Sequence, residues 1–247
     1  EKHVAGGIEP AASIGGMFMP PIMGAGGFIM AELTGLPYSH IMLVAIFPAL
    51  MYFFSVFMMV HYYAKKNNIV GEKSEESASH IFKKNWYYVM PLVVITILML
   101  MGYSPGYSAI IGIVTCIAVS WFRKDTRIDV RGFVAASRAG AESSLKIGAT
   151  VGVIGIIIGV LTYSGLVLTF ADIVIELADG RLWLTILLIA LASLVLGMGV
   201  PVTAAYLITA VVAVPALTHL GVNEIAAHMI VYWLSQDSNI TPPVCIA

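Results

Sequence analysis

A run of 42 residues without Asp, Glu, Lys or Arg, at positions 182–223, limits the possible fold of this chain more than any other feature. As one α-helix it would be about 60 Å long, twice the thickness of the hydrocarbon core of a bilayer. The run must therefore be broken, and the sequence Gly-Met-Gly-Val-Pro at 197–201 is where we expect the break. Further uncharged runs at 41–60, 86–122 and 147–171 each contain at least the roughly 20 residues that one membrane crossing needs.

The composition agrees that water is not the main solvent of this chain. Apolar residues make up 59% of the sequence, charged residues 11%, and the mean hydropathy is +0.92. We therefore predict an all-α integral membrane protein that crosses the bilayer several times. The formal net charge of −1 leaves no basic surface for a nucleic acid, so no nucleic-acid partner is expected. Cys116 and Cys245 lack the spacing of a disulfide framework or a metal site.

Basic residues are concentrated in two loops. Positions 61–85 and 123–146 hold 11 of the 13 Lys and Arg residues. By the positive-inside rule both loops should face the cytoplasm, which requires an even number of crossings between them. The run 86–122 supplies two crossings if the stretch 102–106, which contains Pro and Gly, is a turn. The acidic stretch 172–181 would then lie outside; the alternative is that both basic loops are merely solvated.

Two further patterns surround the second basic loop. Positions 130–146 combine apolar and charged residues near helical spacing, which predicts an amphipathic helix on the cytoplasmic surface, with a soluble linker as the alternative. Four glycines then recur on one narrow helix face: Gly148, Gly152, Gly155 and Gly159. We expect this face to pack closely against another backbone, and a sliding surface is the alternative.

Two stretches place small or polar residues before a Pro-Pro pair, at 13–22 and 235–244. Proline has no N–H to donate to the carbonyl four residues earlier, and it pushes the preceding residue out of the helical region. We therefore expect helices to end at both pairs. Four carbonyls would lose their helical partners: those of Gly16, Met17, Ser238 and Asn239. At membrane depth such carbonyls are tolerated only where protein, water or ions reach them, so both stretches are candidate sites; kinked, packed helices are the alternative.

The break at 197–201 is a third candidate. Pro201 removes the donor for the Gly197 carbonyl, and Thr203 supplies a hydroxyl nearby. A flexible kink would explain the same sequence. Asp237 is the carboxylate in apolar surroundings that is best placed to join a site, because it adjoins the second set of freed carbonyls.

Three motifs carry a resemblance to a known family. They are SIGGMFMPPIMGA at 13–25, LGMGVPVTAAY at 196–206 and NITPPV at 239–244. In this order they resemble the large membrane subunit of the tripartite ATP-independent periplasmic (TRAP) transporters, and in particular the fused membrane subunits that work with TAXI-type binding proteins. The likeness covers essentially the whole chain. Family members often carry Thr and Gln where this chain has Ile14 and Met17, so the roles of those two side chains do not transfer.

The resemblance implies an elevator-type carrier with inverted repeats, broken helices and two re-entrant hairpins, located in the bacterial inner membrane as a multi-pass protein. It also implies sodium as the coupling ion, no other cofactor, and small organic acids as substrates. The partners that it implies are a periplasmic TAXI-type substrate-binding protein, a small membrane subunit or its fused equivalent, and the lipid bilayer.

The candidate site residues fall into two overlapping sets. Substrate is expected at Ser13, Gly15, Gly16, Thr203, Ser238 and Asn239. Sodium, which needs several oxygen ligands, is expected at Ser13, Gly16, Met17, Thr203, Asp237, Ser238, Asn239 and Thr241. No Lys or Arg lies near either Pro-Pro stretch except Lys2, so a carboxylate would have to be held by hydroxyls and helix N-termini.

The expected organisation follows the chain in order. It comprises a first hairpin region with the following helix (1–40), a transmembrane helix (41–60), a cytoplasmic loop (61–85), a transmembrane pair (86–122), a cytoplasmic amphipathic helix (123–146), and transmembrane helices with a break at 197–201 and a truncated second hairpin (147–247). Because the chain begins without Met and ends in an apolar run, we expect a piece of a longer protein, with the counterpart of the 197–203 break upstream.

An intramembrane hydrolase and an ion channel are the competing functions. The sequence at 102–106 matches G-x-S-x-G, but that pattern needs a strand-to-helix turn and a His partner. A channel would favour rings of charge or repeated filter segments, whereas this chain has few charges in its apolar runs. The sequence therefore favours a carrier over both.

Overall fold

The computed structural model describes residues 2–69, 77, 82, 83, 85–122, 126–198 and 200–241. These residues contain helices and no β-strand, which confirms the all-α prediction for this part of the chain. The α-helices are, in chain order, α1 Lys2–Ile14, α2 Gly24–Thr34, α3 Tyr38–Lys66, α4 Met90–Leu100, α5 Pro105–Ser120, α6 Val130–Tyr163, α7 Leu166–Leu177, α8 Leu182–Gly197, α9 Val202–His219 and α10 Glu224–Asp237. Two short 3-10 segments, Gly15–Met17 and Trp86–Val89, follow α1 and precede α4.

Three of these helices, α3, α6 and α9, are long and apolar enough to cross a membrane by their length and composition. The first two contain 29 and 34 residues. At 1.5 Å per residue they are about 44 and 51 Å long, more than the hydrocarbon core requires. Helices α5 and α8, and the segment Trp86–Leu100, are shorter but also apolar.

Helix α9 is the centre of the fold. Helices α2, α6, α7, α8 and α10 all pack against it, and it contributes the largest set of buried residues of any helix described. Its small side chains, among them Ala204, Ala205, Ala210 and Ala213, let neighbouring helices approach closely. These small side chains suit the central position of α9.

The long uncharged run is broken where the sequence predicts. Helix α8 ends at Gly197 and α9 begins at Val202, with Pro201 in an extended conformation (φ −58°, ψ 150°) as the residue before the helix. Proline tolerates this position because the first N–H groups of a helix have no intrahelical partner.

Helices α4 and α5 form a tight antiparallel pair, as the sequence predicts. Gly102 adopts φ +85° in the turn, a backbone conformation that glycine enters at little cost. The Ser104 hydroxyl then accepts a hydrogen bond from the Tyr107 N–H (3.3 Å) at the start of α5. Ser104 is thus a helix cap in a helix-helix turn, and the G-x-S-x-G match lacks the strand that a nucleophile elbow requires.

Helix α6 differs from the expectation. The sequence suggests a surface helix at 130–146 followed by a separate crossing at 147–171, whereas α6 is continuous from Val130 to Tyr163. No proline interrupts it, and the break comes at Gly165 (φ +74°) before α7. The prediction that its glycine face packs closely is wrong for the described chain, because a Cβ atom added at any of the four glycines would have no neighbour within 4 Å.

The two ends of α3 lie on opposite sides of the bundle. Tyr38, at its start, lines the same surface cavity as residues 102–105 of the α4–α5 turn. Lys65 and Lys66 lie in its last turn, at the other end. This arrangement agrees with the expectation that the basic loop after α3 and the turn at 102–106 face opposite sides of the membrane.

We therefore expect single cysteines at the two ends to react from opposite sides. In a protein with Cys116 and Cys245 replaced by Ser, Ser104→Cys should react with a membrane-impermeant maleimide in intact cells. Asn67→Cys should react only after permeabilisation, because it follows the basic end of α3. Labelling of both from outside would show that the orientation is wrong.

Candidate functional site

The first Pro-Pro stretch ends a helix, as predicted. Helix α1 stops at Ile14, one 3-10 turn follows at Gly15–Met17, and α2 begins at Gly24. Tyr38 fixes the segment between them: its hydroxyl donates to the Pro21 carbonyl (2.9 Å) and accepts from the Met23 N–H (3.2 Å). The start of α3 thus satisfies backbone groups that the broken helix cannot satisfy itself.

The Met17 carbonyl, which the sequence predicts to lose its helical partner, finds one in α10. The Tyr232 hydroxyl donates a hydrogen bond to it at 2.8 Å, across 215 residues of sequence. A carbonyl oxygen has two lone pairs, so this bond leaves Met17 able to accept one more contact. The first break is therefore attached to α10 through its own backbone carbonyl.

Aromatic rings reinforce the same attachment. The ring of Phe18 stacks on Trp233 with centroids 3.7 Å apart and planes 5° apart. Tyr52 of α3 meets the edge of Phe18 at 5.3 Å, and Tyr206 of α9 meets Tyr232 edge to face at 5.2 Å. These pairings hold α3, α9 and α10 around the first break, and edge-to-face pairs of this kind add to the stability gained by burial alone.

Glycines let the backbone of the first stretch approach these rings. A Cβ atom at Gly26 would lie 2.5 Å from Cε2 of Tyr232, and one at Gly15 would lie 2.7 Å from Cζ of Phe53. Gly15, a predicted substrate residue, is buried under α3. Ser13 and Gly16, in contrast, are exposed.

The break between α8 and α9 meets the end of α10. A Cβ atom at Gly197 would lie 2.6 Å from Cβ of Ser238, so the absence of a side chain at Gly197 is what admits Ser238. The sequence suggests that the Gly197 carbonyl has no hydrogen-bond donor. In the structure this carbonyl accepts a long hydrogen bond from the Val200 N–H (3.4 Å). Thr203 lies half-buried in the first turn of α9.

The end of α10 is a buried polar segment. Helix α10 ends at Asp237, before the second Pro-Pro pair, and Pro242 and Pro243 lie outside the described residues. Four polar residues here are at most 2% exposed: Ser235, Gln236, Ser238 and Asn239. Burial of this much polar surface requires hydrogen-bond partners, and most of those found are carbonyls of the same segment.

Hydroxyl protons in this segment are directed at backbone carbonyls. Ser238 donates to the Ser235 carbonyl at 2.7 Å, and Thr241 donates to the Asp237 carbonyl at 2.6 Å. The Asn239 side-chain amide also donates to the Ser235 carbonyl, at 3.4 Å. The remaining lone pairs of these hydroxyl oxygens can therefore face a ligand.

Two buried side-chain atoms of α10 have no hydrogen-bond partner in the described structure: Trp233 Nε1 and Gln236 Oε1. Tyr232, Trp233 and Gln236 were not identified as site residues from the sequence. The signal available in the sequence was the presence of a Tyr, a Trp and a Gln shortly before a Pro-Pro pair.

No group of His, Cys, Asp and Glu that could hold a metal ion occurs in the part of the chain that the structure describes. His228 is buried and hydrogen-bonded to Tyr206 (Nδ1 to Oη, 2.8 Å), which ties α10 to α9.

We expect Gly197→Ala to destabilise the protein by about 1–3 kcal/mol, because the added methyl group has no space beside Ser238. Ser238→Gly in the same protein should restore most of the loss, since it removes the colliding atoms. Thermal unfolding of the purified protein in detergent measures both effects. Gly155→Ala, whose Cβ atom would meet nothing, is the matched control and should not lower the melting temperature. Equal melting of Gly197→Ala and the control would disprove the contact.

We also expect Tyr232→Phe to lower stability by about 1–3 kcal/mol, because the part-buried Met17 carbonyl would lose its hydrogen bond while the ring packing is kept. Tyr163→Phe is the control, since Tyr163 is 94% exposed. The comparison uses melting temperatures at equal detergent concentration. If the two variants melt alike, the hydroxyl contributes nothing to holding the first break.

The geometry thus combines three helix breaks and a buried polar segment inside an apolar helical bundle. No curated protein matches the chain in a sequence comparison. A family model described as "Tripartite ATP-independent periplasmic transporter, DctM component" matches residues 1–247. The chain therefore belongs to the DctM component family, the large membrane component of the TRAP transporters.

Proposed function

We propose that this chain acts as the permease of a sodium-coupled carrier that imports small organic acids in their carboxylate form. The observation that carries the proposal is that two helix breaks contact α10: Ser238, in the buried polar segment at its end, lies against Gly197, and Tyr232 binds the Met17 carbonyl. Breaks of this kind at membrane depth are the usual place for substrate and ion sites in secondary transporters.

The chemistry of the segment suits a hard cation such as sodium. Hard cations prefer oxygen ligands, and backbone carbonyls and hydroxyls are suitable ones. Ser238 and Thr241 have already committed their protons to carbonyls, which leaves their lone pairs for a cation. Asp237 is half-buried and forms no ion pair with any described residue, so a bound cation would balance its charge.

The substrate carboxylate would bind without an arginine or lysine. The first turn of α9 offers N–H groups without helical partners and the positive end of the helix dipole, and both favour an anion. Thr203 adds a hydroxyl in that turn, on the same helix whose preceding residues meet Ser238. The first turn of α9 with Thr203 therefore complements the anion, and the acceptor-rich end of α10 complements the cation.

The DctM component works with a periplasmic binding protein and a small membrane subunit in TRAP systems. We propose a TAXI-type binding protein as the source of substrate, a small subunit or its fused equivalent as the membrane partner, and elevator-type movement with re-entrant hairpins in the inner membrane. The support for the TAXI assignment is the sequence resemblance at 13–25, 196–206 and 239–244. The exposed apolar face of α6 is available to lipid or to another membrane segment.

The test is uptake by the complete transporter, reconstituted with its binding protein and screened over a panel of organic acids. Uptake should require an inward sodium gradient. Thr241→Val keeps the shape of the side chain but removes the hydroxyl, so the sodium concentration for half-maximal uptake should rise by roughly five- to tenfold. Thr209→Val is the control, because the Thr209 hydroxyl donates only to the Ala205 carbonyl within α9 (2.7 Å).

Different outcomes separate the competing functions. Flux that does not saturate with substrate would indicate a channel, and chemical conversion of the substrate would indicate a hydrolase. The match of this chain to a transporter family favours neither alternative. Unchanged sodium dependence of Thr241→Val at normal protein levels would remove that side chain from the sodium site. Uptake by the wild-type protein without any sodium gradient would refute sodium coupling itself.

A further inference from the structure

Gln236 is the one glutamine of the sequence, and it lies in the last turn of α10 with its side chain fully buried. Its Oε1 atom has no hydrogen-bond partner in the described structure. A buried acceptor without a partner loses the hydrogen bonds that water gave it in the unfolded chain, so native proteins rarely keep one without a reason. The position of this acceptor, next to Asp237 and before the second Pro-Pro pair, connects it to the proposed site.

The orientation of the amide follows from its neighbour. The Ser235 hydroxyl donates its single proton to the Tyr232 carbonyl at 2.8 Å, so towards Gln236 the hydroxyl oxygen can act only as an acceptor. The amide group of Gln236 must therefore present Nε2 to Ser235, where the two atoms are 3.4 Å apart. Rotating the amide by 180° would place two acceptors against each other, so Oε1 is left on the side away from Ser235.

The segment that contains Gln236 is rich in acceptors and poor in free donors. The protons of Ser235, Ser238 and Thr241 are all donated to backbone carbonyls. The Asn239 amide donates to the carbonyls of Ser235 and Gln236. The Trp233 N–H is unused, but it does not reach Oε1. A segment whose polar atoms are mainly oxygen acceptors, and in which Asp237, the next residue along the chain, carries a carboxylate, is complemented by a cation rather than by an anion or an apolar group.

We propose that Gln236 Oε1 is a direct ligand of the coupling cation, a monovalent hard cation such as sodium, at the end of α10. This inference rests on the proposed function and adds a residue to its cation site. An amide oxygen contributes a strong dipole without a further negative charge. If Asp237 also binds the cation, as the proposed function holds, the site would carry one negative charge, which matches a monovalent cation better than a divalent one.

The test measures sodium binding directly, apart from transport. The complete transporter is purified, and its melting temperature is followed as sodium chloride replaces choline chloride at constant ionic strength, because a ligand that binds only the folded protein raises its stability. Gln236→Met keeps the length of the side chain but lacks the oxygen. We expect its half-saturating sodium concentration to be at least about tenfold above that of the wild type. Thr209→Val, a buried polar residue of α9 with a satisfied hydroxyl, should match the wild type.

The outcomes distinguish the ligand assignment from the proposed function. If the wild type and Thr209→Val are stabilised by sodium and Gln236→Met responds at the same concentration, Oε1 is not a ligand. If neither the wild type nor Thr209→Val responds to sodium, sodium coupling fails, and the ligand assignment fails with it. If Gln236→Met does not fold, Gln236→Glu decides. Its added charge at the ligand position should lower the half-saturating sodium concentration by at least about threefold, and an unchanged value would overturn the proposal.

Discussion

The need to satisfy backbone groups where helices break inside an apolar bundle governs this structure. At the first break, the tertiary structure supplies the missing partners through two tyrosines. Tyr232 donates to the Met17 carbonyl, while Tyr38 binds both Pro21 and Met23. Without water to take their place, each of these bonds replaces one that the interrupted helix cannot make. The packing of α3 and α10 beside the first break therefore supplies the partners that this break requires.

The second requirement is that helices approach one another closely, and small glycine and alanine residues make this possible. Gly26 makes room for the ring of Tyr232, and Gly197 makes room for Ser238. The alanines of α9 allow five helices to gather around it. As a result, segments that are far apart in sequence meet at α10, beside a buried polar segment whose low local dielectric would strengthen the interaction with a bound ion. A carrier needs such a region, shielded from lipid and rigid enough to hold its ligands.

The helix ends and turns that the sequence predicted correctly are those caused by residues close by in the chain. Proline and glycine act within a few residues, so the breaks at Ile14, Gly197 and Asp237 and the turn at Gly102 agree with prediction. The boundary between a surface helix and a crossing near position 146 has no such local cause. Charge and hydropathy change there, but the helical hydrogen bonds continue, and α6 runs through it.

The sequence by itself determined that the chain is helical and apolar, where three of its helices end, and to which family it belongs, because these properties depend on composition, short-range backbone chemistry and motifs. Only the tertiary structure decided which group satisfies each break. The bond from Tyr232 to Met17 spans 215 residues, and the unpaired Gln236 oxygen is recognisable only once its neighbours are known. The glycine face of α6 shows the same division, since its spacing is visible in the sequence but its lack of a neighbour is not. Contacts between distant segments depend on how whole helices pack, and no local pattern encodes that.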